Sequence, residues 1–114
     1  MYQANNIFAK ILRGEVLCQK IMENDDVLVF YDINPKAPIH ALVICKGSFK
    51  NALEFHKKAT DQQIIQFYKG INEAVAKLDL SSFRLVSNTG HDAGQLIDHF
   101  HVHILGGGLL SDAP

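Results

Sequence analysis

Cysteine is scarce in this chain. Cys18 and Cys45 are its only two, too few and too far apart to read as a disulfide framework. An excess of either charge is also missing. Eleven Lys and Arg stand against twelve Asp and Glu, a formal net charge of −1. With no basic block, nucleic-acid binding through an electrostatic footprint is disfavoured. No apolar stretch approaches the ~18 residues that a membrane span needs, so no membrane partner is expected. No basic start followed by an apolar run marks a signal peptide. A cytoplasmic protein with reduced thiols is the expectation. Prolines number three, and two of them, Pro35 and Pro38, punctuate one turn. Repeats and low-complexity tracts are absent.

What is present is an ordinary globular balance, with 47% hydrophobic and 20% charged residues, which argues against disorder. The 114 residues fit one domain, 1–114. A chain this short buries only about two thirds of its unfolded surface, so pairing with a second copy would help it.

Asn5 or Asn6 can cap a short helix whose apolar stripe is Ile7, Phe8, Ile11 and Leu12, with Gly14 at its stop. Gln19 to Glu23 reads as a strand, Asn24-Asp25-Asp26 as a turn and Val27 to Tyr31 as the returning strand. The two prolines of Asn34 to Pro38 make that segment loop, and Ala41 to Cys45 is a third strand. Thr60, with Gln63 three residues on, predicts a capping box. Ile64, Tyr68, Ile71, Val75 and Leu78 then recur at helical spacing. Phe83 to Ser87 and Ile97 to Leu105 are the last two strands. The expected class is α+β, a mostly antiparallel five-stranded sheet with two helices.

His99, His101 and His103 alternate with Phe100, Val102 and Ile104. Alternate side chains of a strand share a face, so the imidazoles line one face, presented outward, while the apolar set points into the core. Three readings compete. In the first, the histidines bind a metal. Adjacent ones sit ~6.6 Å apart by Cα and the outer two ~13 Å apart, whereas each ligand nitrogen must lie within ~2.1 Å of an ion. A third ligand would have to come from His40 or Asp32. In the second, a neutral ring nitrogen attacks phosphorus or carbon while a neighbour orients it or protonates a leaving group. In the third, the histidines are only hydrogen-bonded polar side chains. Strict alternation of three, out of six in the chain, tells against the third.

Asn88 to Gln95 is a small, polar, glycine-containing loop. Its backbone N–H groups can approach an anion closely, a candidate phosphate cradle beside the histidines. Asp32, at the end of a strand, can accept two hydrogen bonds from a ribose diol, or merely cap its turn.

Together these motifs resemble the histidine-triad (HIT) family, whose signature alternates three histidines with hydrophobic residues. His99-Phe100-His101-Val102-His103-Ile104-Leu105 matches it completely. Ile7 to Glu15 is similar to the family's opening helix, Asp32 to His40 to its second motif, and Gly94-Gln95 falls just before the triad. The opening helix and Gly106-Gly107 favour the Hint branch, purine-nucleoside phosphoramidases that cleave the P–N bond of nucleoside 5′-phosphoramidates. The diadenosine-polyphosphate hydrolase branch is the alternative, as is a nucleotide-binding module with weak activity. The resemblance implies His101 as nucleophile, forming a nucleotidyl-imidazole that water resolves without a metal or other cofactor. It implies His103 against the phosphate or leaving group, and His99 and His40 as partners that orient His101. Asn88, Gly94, Gln95 and the backbone of Leu96 would hold the phosphate, and Asp32 the ribose. Ile7, Phe8, Ile11, Val16 and Ile33 would line the base pocket of a purine nucleotide.

Two features depart from the branch. Leu96 stands where members often carry Ser, Thr or Glu, and its side chain cannot donate to phosphate. The tail Gly108 to Pro114 lacks the aromatic, proline-rich ending of some relatives. The branch also implies a homodimer whose two sheets join into one of ten strands. Thr60 to Leu78 and Phe83 to Ser87 would carry its interface, with Tyr68, Ile71 and Val75 as contact candidates.

Overall fold

A computed structural model describes residues 1–112. Helix α1 (Ile7–Leu12) is followed by strands β1 (Lys20–Glu23), β2 (Val27–Tyr31) and β3 (Ile39–Cys45). Helices α2 (Ala52–Lys58) and α3 (Asp61–Lys77) come next, then β4 (Phe83–Val86), a 3-10 turn at His91–Ala93, and β5 (His101–Gly106). The strands form one sheet in the order β1-β2-β3-β5-β4. Every neighbouring pair is antiparallel, so the expected class and sheet are found.

Asn6 caps α1 by accepting from the Ala9 N–H at 2.9 Å. Thr60 and Gln63 form the reciprocal capping box at the start of α3, with hydrogen bonds of 2.9 and 3.1 Å. Helix α2 has no counterpart in the sequence reading. It is seven residues long and buries only Phe55, too little for a periodic stripe, although Asn51 caps it.

The sheet is apolar on both faces. On one, Val27, Val29, Ala41, Val43, Phe100, Val102 and Ile104 pack with Phe55, Phe67, Ile71 and Ala74 of α2 and α3. Gly70 lets α3 approach, since a Cβ there would lie 2.7 Å from Val27 Cγ2. On the other face Leu28, Phe30, Leu42 and Ile44 pack with Phe8 of α1. Burial on both sides explains why β2 and β3 read as continuous hydrophobic runs.

The strand expected from Ile97 is shorter at its start. The β5 ladder begins at His101, opposite Ile44. Just before it, the Phe100 N–H turns to the Phe49 carbonyl at 2.7 Å, which takes residues 97–100 out of regular pairing. Ile71, a candidate dimer contact, is 2% exposed and belongs to the chain's own core. Tyr68 stays partly exposed, and Val75 packs at the core's edge.

Candidate active site

The register of β3 against β5 pairs Leu42 with His103 and Ile44 with His101, which sets both imidazoles on the α1 face of the sheet. That face is not open, as the alternation alone suggests. Its apolar residues require cover, and α1 supplies it. The Phe8 ring lies 4.9 Å from the His101 ring and 6.2 Å from that of His99. As a result His99 is 1% exposed and His101 8%, while His103 is half-buried.

Hydrogen bonds settle where each ring carries its proton. A carbonyl only accepts, so His99 Nε2, 2.7 Å from the Cys45 carbonyl, is an N–H. His99 Nδ1 is then a bare acceptor, and the Tyr2 hydroxyl donates to it at 2.6 Å. In the same way His101 Nδ1–H donates to the His99 carbonyl at 2.6 Å, which leaves His101 Nε2 as a lone pair. The Lys36 N–H donates to His40 Nδ1 at 3.0 Å. His40 Nε2–H therefore donates to His103 Nδ1 at 2.9 Å, and His103 keeps its proton on Nε2. Neither the His101 nor the His103 Nε2 has a protein partner among the described residues. A nucleophilic nitrogen and a donor N–H are thus set side by side, with ring centroids 5.2 Å apart.

Burial holds the four histidines below their ordinary range, hence neutral near pH 7. For His103, burial comes first and the neighbouring His101 and His40 add to it, bringing it down to about 4. For His40, burial outweighs the opposing pull of Asp32, whose Oδ2 is 3.4 Å from Nε2.

His101 and His103 line a cavity of about 220 Å³. Asp32, Asn88 and Gly94 give it a polar side, and Phe8, Leu42, Leu96 and Ile97 an apolar one. Gly94 takes φ +93° to turn the loop, and Asn88 Nδ2 holds that turn through the Ala93 carbonyl at 2.9 Å. Leu96 is 88% exposed at the rim, and its N–H has no intramolecular partner among the described residues.

Other candidates fall elsewhere. Gln95 is buried and outside the cavity; its amide bonds Gly90 N–H and the carbonyls of Lys50 and Ile97, so it braces the loop and has nothing left for a phosphate. His40 touches His103 and not His101. Ile11 and Val16 line a neighbouring groove, Ile7 is partly exposed, and Ile33 projects almost fully into solvent. Tyr2 and the Lys36 N–H escape sequence reasoning, because a single side chain ahead of a helix and a backbone donor in a loop leave no periodic signal.

Asp32, His40 and His103 offer ligand atoms within 4.8 Å of one another, the grouping that a metal reading requires. The Lys36 N–H argues against it. An ion on His40 Nε2 would drive the proton to Nδ1, straight against that donor.

A HIT domain model matches residues 13–108. A HIT-like protein of Azospirillum brasilense is 40% identical over 111 residues, which covers 96% of this chain and 91% of the relative. A histidine triad protein from Clostridium difficile superposes with TM-score 0.86 at 33% identity over the full length of both chains. A HIT family hydrolase from Clostridium thermocellum superposes with TM-score 0.84 at 32% identity, covering 97% of each chain. With the alternating histidines on and just before β5, the α1 cover and these matches agreeing, the chain belongs to the HIT family.

Proposed function

We propose that this protein is a nucleotide hydrolase that cleaves the P–N bond of purine nucleoside 5′-phosphoramidates through a nucleotidyl-His101 intermediate. The observation that carries the reading is the opposed proton placement at His101 and His103. His101 Nε2 forms a bond to phosphorus as the P–N bond to the amine breaks. His103 Nε2–H hydrogen-bonds the leaving nitrogen, which takes one proton from solvent and departs as a neutral amine, so that His103 itself stays neutral. Water then attacks phosphorus and gives its proton to solvent, which releases the nucleoside monophosphate and restores neutral His101. Dividing the displacement makes each step easier. Donors around the phosphate, among them the free Leu96 N–H, stabilise its charge. Asp32 at the cavity wall suits the ribose hydroxyls, and the groove at Ile11 and Val16 suits the base. The hydrolase from Clostridium thermocellum supports the reaction class.

We place the protein in the cytoplasm as a homodimer. Cys18 and Cys45 lie on opposite faces of the sheet and cannot pair. Among the described residues, strand β4 leaves one edge of the sheet unpaired, with Phe83 and Leu85 about two fifths exposed on it.

The test is a time-resolved assay with an adenosine phosphoramidate, in which nucleotidylated His101 is trapped and identified by mass spectrometry. His101→Ala should lose turnover by at least about 10³-fold with its circular dichroism unchanged. Undiminished turnover in that variant overturns the reading. Tight AMP binding without turnover of phosphoramidates or dinucleotides would make the protein a binding module.

A further inference from the structure

The strand ladder does not reach the carbonyl that sets the proton on His101. Regular pairing starts at His101 itself. The preceding His99–Phe100 peptide makes one backbone hydrogen bond, Phe100 N–H to the Phe49 carbonyl, and the Phe100 carbonyl takes the Cys45 N–H at 3.4 Å; on the His99 side it is held by whatever fixes the His99 ring. That ring is almost fully buried, and both of its nitrogens are occupied. Nε2–H is tied to the Cys45 carbonyl on β3, and Nδ1 takes the Tyr2 hydroxyl at 2.6 Å. The tyrosine ring also meets the His99 ring edge-on, with centroids 5.6 Å apart. Tyr2 Oη in turn accepts from Asn6 Nδ2 at 3.1 Å, and Asn6 is the residue that caps α1. A single hydroxyl thus joins the helix that carries Phe8 to the histidine whose carbonyl orients His101.

We infer that Tyr2 is a positioning residue for His101, acting through the His99 ring and its carbonyl. The inference rests on His101 as the reacting residue. Without the hydroxyl, His99 Nδ1 is a buried acceptor with no donor. Its ring is then free to tilt or admit water, and the His99 carbonyl moves with it. His101 Nδ1–H loses its fixed acceptor, and Nε2 is no longer held as the lone pair aimed at the cavity. Small misplacements of a reacting atom are costly. Because Tyr2 does not line the cavity, nucleotide affinity is unaffected.

The experiment compares the full-length wild type with Tyr2→Phe, which keeps the ring and removes only the hydroxyl. Turnover of an adenosine phosphoramidate should fall roughly tenfold in kcat with KM unchanged. In the nucleotide-free protein, the ¹⁵N resonances of His101 should move from a pure Nδ1–H tautomer towards a mixture. Asn6→Asp is the second variant. It keeps the cap acceptor of α1 but replaces the donor to Tyr2 with a carboxylate that competes for the hydroxyl, and it should shift both readouts the same way. Unmoved His101 resonances in Tyr2→Phe overturn the inference, even where kcat falls, because the role would then be general stability. A kcat within twofold of wild type also overturns it. Failure of the wild type to turn over any nucleotide overturns the proposed function instead, and the resonances still decide the case for Tyr2.

Discussion

His101 and His103 face one cavity with opposite chemistry at the same ring atom, and each depends on a partner that the order of residue types along the chain does not reveal. For His101 it is the carbonyl of His99; for His103 it is His40, itself polarised by the Lys36 N–H. Burial keeps His101 below its ordinary range, so the attacking lone pair survives mild acid. The kcat/KM profile of a phosphoramidate should therefore hold as pH falls through 6.5 and decline only below it. An acid limb centred at or above 6.5, measured at saturating buffer capacity and constant ionic strength, would contradict the neutral row. Leu96 is the second residue whose effect is separable. At 88% exposure it contributes little packing, so Leu96→Ser should change stability by no more than about 0.5 kcal/mol. A hydroxyl at the cavity rim should nevertheless raise kcat/KM several-fold, by adding a side-chain donor worth roughly 1 kcal/mol. Parallel thermal melts and initial rates distinguish the two effects.

Among the elements, α1 carries the most consequence for its length. Its six residues cap the apolar half of the histidine face, and Phe8 ties that cover to His101. Phe8→Ala should cost about 3–5 kcal/mol in urea unfolding and impair turnover as well, because it removes a core side chain and a wall of the cavity together. Helix α3 acts on the opposite face through a close approach. Gly70→Ala would gain about 1 kcal/mol of helix propensity. The added methyl would sit 2.7 Å from a fully buried, β-branched Val27, an overpacking cost of ~1–3 kcal/mol. A net loss of stability is expected, and pairing the change with Val27→Ala should recover part of it in a double-mutant cycle. The legibility of the elements follows the same physics. Helix α3 was readable from Thr60, Gln63 and a long apolar stripe. Helix α2 was not, because one buried aromatic makes no period. The start of β5 is not legible because the alternation already runs through His99 and Phe100, before regular pairing begins at His101.

For the whole molecule, four neutral histidines, three buried and one half-buried, tie stability to pH. The folded values of His40, His99, His101 and His103 lie below the ordinary one, that of His103 at about 4. Below pH 6.5 the unfolded chain takes up protons that the folded chain refuses, so the stability present above that pH is lost as pH falls towards 4. The Tm should drop across this window, and His103→Asn should flatten the slope. Assembly is testable at the same scale. A lysine on an exposed edge strand blocks strand addition, so Leu85→Lys should halve the mass seen by light scattering. A wild type already monomeric at working concentration would remove the dimer.

Side-chain period and cap chemistry are local properties, so the order of residues alone carries the sheet, two of the three helices and the identity of the histidines. It also placed Asp32 and Asn88 near them, through the order of motifs along the chain. The packed three-dimensional arrangement was needed to show that the histidine face is roofed by α1, that Gln95 faces the loop interior, and that His40 serves His103. It alone assigned the protons, since a tautomer is chosen by the partner of the other ring nitrogen, and those partners are up to 97 residues away along the chain.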